Sequence, residues 1–307
     1  MVKICDEVFN LERLSNEDCF IATIGYEDRS TYLIESVTER LNSSNMLVFC
    51  FSDLSKHERI LSKVTRLQNL GIRVEFVRYE EYEAVYSYIL EFVNLEREKK
   101  GIVYIDYSAM PRTWYSKLPV SLMTADRKVK FLYVVGEYTQ KENEYPCAGI
   151  SDSYNIIGKP SLNTNSRLHV IGVGYDSVRT MALITRLDPD AYAICSARHS
   201  EDDEMEKKVQ RVNRPIIDQA LFFTTLMMDD FSYMVARLCE IAYEYTKFGD
   251  VVFVPDGPKP LIMAMSLVPQ ITGVPGVVCI HVSRNPNGYE FVNVLPTNKV
   301  ICFSLEL

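Results

Sequence analysis

Two landmarks recur at nearly the same separation in the two halves of this 307-residue chain, and that recurrence limits the fold more than any other feature. The apolar run CFIATI ends in Gly25-Tyr26-Glu27, and the run RLHVIGV ends in Gly174-Tyr175-Asp176. Farther on, GIVYI ends in Asp106-Tyr107-Ser108-Ala109-Met110-Pro111-Arg112, and VVFVP ends in Asp256-Gly257-Pro258-Lys259. Gly25 and Arg112 lie 87 positions apart, Gly174 and Lys259 85. Landmarks spaced this evenly, each at the end of an apolar run, point to a duplicated unit.

Between the landmarks the chain alternates strand-sized apolar runs with amphipathic stretches. In the first half, MLVFCFS, IRVEFVRY, GIVYIDYS and VKFLYVVGEY read as strands. Thr31–Leu41, Leu54–Leu70, Glu80 to about Lys100 and Arg112–Ala125 read as helices. Residues 141–166 are rich in turn formers and read as a linker. The pattern then restarts with helices at Ser177–Leu187, from Glu201, at Phe231–Lys247 and from Leu261. The tail, GYEFVNVLP and KVICFSLEL, reads as a terminal hairpin without a first-half equivalent. Alternation of this kind predicts an α/β fold with two tandem Rossmann-like lobes and mainly parallel sheets. The expected lobes are 1–145 and 166–307, the second carrying the hairpin, with 146–165 between them.

Composition narrows the function. Apolar residues make up 47% of the chain, enough for a large core, and no apolar run approaches the eighteen or so that cross a bilayer. The charged start, MVKICDEVFNLERL, lacks the apolar stretch of a signal peptide, so the expected compartment is the cytoplasm. Eight scattered cysteines include Cys50 and Cys279 inside apolar runs and read as buried thiols. Neither they nor the four histidines form a zinc-type cluster, and no metal or cofactor is expected. A net charge of −8 without a basic stretch disfavours long nucleic acid, but it leaves room for a small anion in a local pocket.

In parallel sheets, ligands bind beyond the carboxyl ends of the strands, where the strand order reverses. Both landmarks of each lobe stand at such ends. Gly25, Gly174 and Gly257 let backbone approach a ligand closely, and the helices that follow begin with N–H groups suited to an anion. Arg29, Arg112, Arg179 and Lys259 are placed to hold phosphates, each through a charge-assisted bond of roughly 1.5–3 kcal/mol. Tyr26, Tyr107 and Tyr175 are candidates to stack a base. Ser108 and the acids Glu27, Asp106, Asp176 and Asp256 complete the loops.

The same residues also read as plain strand-to-helix punctuation, with acids beside helix starts and Ser30 or Ser177 as caps. Asp106 and Asp256 fit either a general base or an orienting partner for neighbouring cations. Neither a G-x-G-x-x-G fingerprint, nor a P-loop, nor a G-x-S-x-G elbow is present, so classical dinucleotide binding, P-loop hydrolysis and serine hydrolysis are not expected.

The stretch VVFVPDGPKPLIMAMSL resembles the signature of CRISPR-associated Rossmann-fold sensor (CARF) domains, in which a strand runs into a Gly-Thr-Lys-Pro-type loop and a helix. HVIGVGYDS is similar to that family's first ligand loop, and two such units in tandem resemble SAVED sensors of cyclic-nucleotide signalling. The resemblance covers two short motifs per lobe. It implies that Gly257, Pro258 and Lys259, with Gly174, Tyr175 and Asp176, form ligand loops. The first lobe departs from it, with Arg112 where lysine stands in the family. The expected function is therefore recognition of a nucleotide-type anion, cyclic or oligonucleotide, in a cleft between the lobes. The chain would be a defence-system sensor whose partner protein carries the effector. The alternatives are an enzyme that processes a nucleotide or sugar-nucleotide in the same cleft, and a scaffold subunit.

Overall fold

The computed structural model describes residues 2–95, 101–122, 127–138, 149–151, 154–161, 166–283 and 293–306. The chain forms two compact units, Val2–Thr139 joined by Phe291–Leu307, and Gln140–Glu290.

The first unit contains β1 (Lys3–Glu7), β2 (Cys19–Ile24), α1 (Tyr32–Val37), β3 (Met46–Phe51), α2 (Glu58–Asn69) and β4 (Arg73–Val77). It continues with α3 (Tyr82–Leu95), β5 (Val103–Asp106), α4 (Arg112–Tyr115), α5 (Leu118–Ser121) and β6 (Val129–Tyr138). The second unit holds β7 (Tyr154–Gly158), β8 (Arg167–Gly172), α6 (Ser177–Leu187), β9 (Ala191–Arg198), α7 (Asp203–Ile217) and β10 (Phe223–Met227). It closes with α8 (Phe231–Tyr245), β11 (Asp250–Val254), α9 (Lys259–Thr272) and β12 (Val277–Val282), after which β13 (Val294–Glu306) returns to the first unit.

The two sheets repeat one plan. Their strand orders are β1-β13-β6-β5-β2-β3-β4 and β10-β9-β8-β11-β12-β7. Matching β2 to β8, β3 to β9, β4 to β10, β5 to β11 and β6 to β12 superposes the two connectivities, and all those neighbours pair in parallel. The duplication read from the landmark spacing is thus present as topology, and the fold is α/β with two Rossmann-like units.

Each unit adds one antiparallel strand beside the matched pair β6 and β12, but from opposite directions along the chain. In the second unit it is β7, which precedes β8 and lies inside the stretch expected to be linker. In the first unit it is β13, which follows the whole second unit and pairs with β6 and β1. The tail therefore does pair as antiparallel strand, yet it belongs to the first unit instead of the second. The first arm of the expected hairpin falls largely on residues 284–292, outside the described residues. The helix expected over Arg112–Ala125 is broken into α4 and α5, with Pro119 in the first turn of α5. Residues 123–126 lie outside the described residues.

Burial explains the order. Every residue of β2 is buried, with Phe20, Ala22 and Ile24 packed on Leu33, Ile34 and Val37 of α1 and Ile60, Val64 and Leu67 of α2. A strand covered on both faces is apolar throughout, which is why CFIATI does not alternate. In the second unit Ile171, Leu183, Ile194, Val209, Ile216 and Val254 form the corresponding cluster. Each large side chain so buried contributes about 1.5–3 kcal/mol.

Candidate functional site

In each unit the strand order reverses between the first and fourth parallel strands, β2 and β5 in one and β8 and β11 in the other. All four expected loops leave the carboxyl ends of those strands. Each unit brings its own two loops together.

In the second unit the loops touch through backbone. Gly257 has φ +86°, and a Cβ there would lie 2.4 Å from the Val173 carbonyl oxygen. A Cβ at Gly174 would come within 3.0 Å of the Gly257 Cα. These glycines are thus required by the approach of one loop to the other. Asp176 caps α6, its Oδ1 accepting the Arg179 N–H at 2.9 Å, so the strand-to-helix reading holds for this acid. Ser177 is the first residue of α6 and not its cap.

Arg179 is fully buried and turned inward. Its Nε donates to Asp256 Oδ2 at 3.0 Å, its Nη2 to the Val282 carbonyl at 2.7 Å and its Nη1 to the Gly149 carbonyl. The side chain expected to hold a phosphate is instead a strut that joins α6 to the end of β11 and the end of β12. An anion would have to displace a carboxylate and two carbonyls to reach it. Asp256, also buried, is the other half of that pair.

Tyr175 is half-buried, and the ammonium of Lys208 on α7 stands 4.6 Å from its ring centroid. Beneath the loop, Asn213 on α7 is completely buried and donates from Nδ2 to the Gly174 carbonyl at 2.8 Å. Lys208 and Asn213 escaped sequence reasoning because both sit in a charged amphipathic helix, one and a half helices downstream of the loop they support. Lys259 and Gly257 are half-buried at the start of α9. No side chain caps that helix, whereas Asp176, Asp202 and Asp230 cap α6, α7 and α8.

The first unit uses different chemistry at the same places. Gly25 ends β2 and Glu27 precedes a 3-10 turn, Asp28–Thr31, in which Ser30 donates to the Gly25 carbonyl at 3.1 Å instead of capping. Arg29 is buried, with Nε 2.5 Å from Glu27 Oε2 and Nη1 3.0 Å from the Tyr133 hydroxyl and 3.4 Å from the Val134 carbonyl. Burial opposes its charge, but Tyr133 and Glu27 hold it protonated, well above the ordinary guanidinium value. Asp106 accepts the Ser108 N–H at 2.9 Å, and the Ser108 hydroxyl accepts the Val134 N–H at 2.8 Å. Ser108 therefore ties β5 to β6, and it is fully buried. Tyr107 is also fully buried, between the rings of Tyr133 and Tyr115, and is no platform for a base. Tyr26 and Arg112 are half-buried at the strand ends.

A groove of about 1030 Å³ lies elsewhere, between α2 and the segment that follows α1, at the amino end of β3, lined by Leu41, Met46, Leu61, Arg66 and Leu70 among others. None of the expected site residues borders it. Among the described residues no cluster of three or more His, Cys, Asp or Glu side chains is placed to hold a metal ion. Among the same residues no helix is long and apolar enough to cross a membrane.

No family model matches the chain, and no curated protein matches it. Among solved structures, a cytoplasmic domain of a prokaryotic cation chloride cotransporter aligns over 86% of this chain and 95% of its own length. The identity is 7% and the TM-score 0.23, too low to support an argument about this chain.

Proposed function

We propose that the chain binds a nucleotide-type anionic small molecule at the carboxyl ends of its central strands and serves as a sensor subunit for a partner protein that carries the effector activity. The observation that carries this reading is the position of the loops. In both units the two landmark loops flank the reversal of strand order, the place where α/β sheets take their ligands. No side chain caps the start of α9, where Lys259 stands, although Pro258 and Pro260 supply no N–H there. Tyr175, half-buried in the neighbouring loop, brings the Lys208 ammonium to 4.6 Å from its ring centroid, and Arg112 is the equivalent cation in the first unit. Asp106 and Asp256 are engaged by the Ser108 N–H and by Arg179, which fits positioning better than proton transfer.

The test is thermal unfolding against mono-, di-, cyclic and oligonucleotides, with product analysis on every hit. A ligand at a hundred times its dissociation constant adds about 2.7 kcal/mol to the folded state. The shift should vanish in Lys259→Ala or Arg112→Ala, and recovered ligand should be intact. Altered ligand would make the protein an enzyme, and a flat response across the panel would refute nucleotide binding by the isolated chain.

A further inference from the structure

The two matched arginines differ in one respect. All three nitrogens of Arg179 have acceptors, whereas Arg29 uses Nε and Nη1 only, and its Nη2 makes no hydrogen bond or ion pair among the described residues. Nearby, Lys63 on α2 has a side chain only 16% exposed, and its ammonium is poorly matched. Its contacts are the Glu27 carbonyl at 3.4 Å and Asp28 Oδ1 at 4.0 Å, a carboxylate already taken by Arg59 and by the Asn293 amide. Arg29 and Lys63 thus converge on the same residue, Glu27, each with donor capacity left over.

Charge supports the same point. Around Lys63 itself, the two carboxylates Glu27 and Asp28 are shared among three cations, Arg29, Arg59 and Lys63. Burial lowers the Lys63 pKa, as it does for an ammonium whose charge is incompletely compensated. Arg29 Nη2, although its side chain is buried, is not sealed from solvent, so a group arriving from solvent can accept from it.

We infer that an oxyanion, a phosphate or carboxylate group, seats between Arg29 and Lys63 at the end of β2 in the first unit. The inference rests on the anion-binding reading above and assigns that binding to a residue, Lys63, that no sequence motif marks. The second unit has no equivalent seat on Arg179, because each nitrogen of that guanidinium already donates within the fold.

Inorganic pyrophosphate is a suitable probe, titrated calorimetrically into the full chain. Lys63→Gln should weaken its binding at least about tenfold without moving the melting temperature, and Arg29→Lys should weaken it too. Lys207→Gln, the same charge change at an exposed site, should leave it unchanged. Pyrophosphate should also protect Lys63 from reductive methylation, read by mass spectrometry. Equal binding by Lys63→Gln and wild type, or no pyrophosphate binding by wild type, overturns the assignment. If a nucleotide still shifts unfolding in Lys63→Gln as in wild type, only this assignment falls. If wild type answers to neither pyrophosphate nor any nucleotide, the broader reading falls with it.

Discussion

Replacing Arg179 by methionine tests the claim that this side chain is a strut. The substitution keeps most of the volume and removes the charge. It takes from the Asp256 carboxylate, 4% exposed, its ion pair with Arg179, and strips donors from the Gly149 and Val282 carbonyls. Breaking a buried ion pair at one end costs about 3–5 kcal/mol, because the remaining charge stays desolvated. For a unit of roughly 150 residues each kcal/mol moves the melting temperature by about 2–4 °C. The expected fall is therefore around 10 °C, in the transition of the Gln140–Glu290 unit, read by scanning calorimetry. Removing both charges is a stricter version. Arg179→Met with Asp256→Leu leaves no orphaned charge and should recover most of the loss. A single-variant loss under about 1 kcal/mol, or a double variant no better than the single, would show that Arg179 is not holding these loops together.

Two pH effects separate the units. Burial would raise the Glu7 carboxyl, but hydrogen bonds from Lys128, Lys130 and Ser304 outweigh it and bring it to about 2. The folded value lies below the ordinary 4.5, so its stabilisation is full above 4.5 and is lost as pH falls toward 2. Urea unfolding at pH 6 and pH 3 should show a loss on the order of 2 kcal/mol that Glu7→Gln abolishes. His169 is pushed down to about 4 by burial and then by Arg167. Its contribution is full above pH 6.5 and disappears as pH falls toward 4, a slope in the second unit's melting temperature that His169→Phe should flatten. Gly257→Ala must accommodate both φ +86° and a Cβ 2.4 Å from the Val173 carbonyl oxygen, and should cost at least about 3 kcal/mol. Gly273→Ala meets nothing within 4 Å and should cost only the left-handed strain, about 1–2 kcal/mol in the same unfolding assay.

The alternation of strands and helices was legible because each element carries a local period. Ser177–Leu187 is a helix over the range its spacing predicts. The strand ends were legible too, so the loops at the strand-order reversal emerge where the repeated landmarks stand. What the sequence concealed is direction. Arg29 and Arg112 look alike as letters after a strand, yet one is buried on Tyr133 and the other, half-buried, opens a helix. Whether a cation turns in depends on carbonyls and carboxylates far away in the chain, such as Val282 for Arg179. The placement of β13 was hidden for a similar reason. Its pairing with β6 joins Ser304 to Lys130, and no local pattern encodes a partner so distant.

That pairing has a consequence for how the chain is made. Residues 140–290 form a complete unit from contiguous sequence, but the first unit lacks a strand until synthesis has passed beyond them. At typical elongation rates the delay is roughly 8–30 seconds. During that time the β6 edge, which β13 later covers, is an open ladder of backbone donors and acceptors. Ribosome-stalled chains ending near residue 290, followed by a linker long enough to fill the exit tunnel, should be cut readily in the first unit by a brief protease pulse and resist in the second. The ribosome thus releases the segment made first into its finished form last, and chaperone demand during translation should fall on the amino-terminal half.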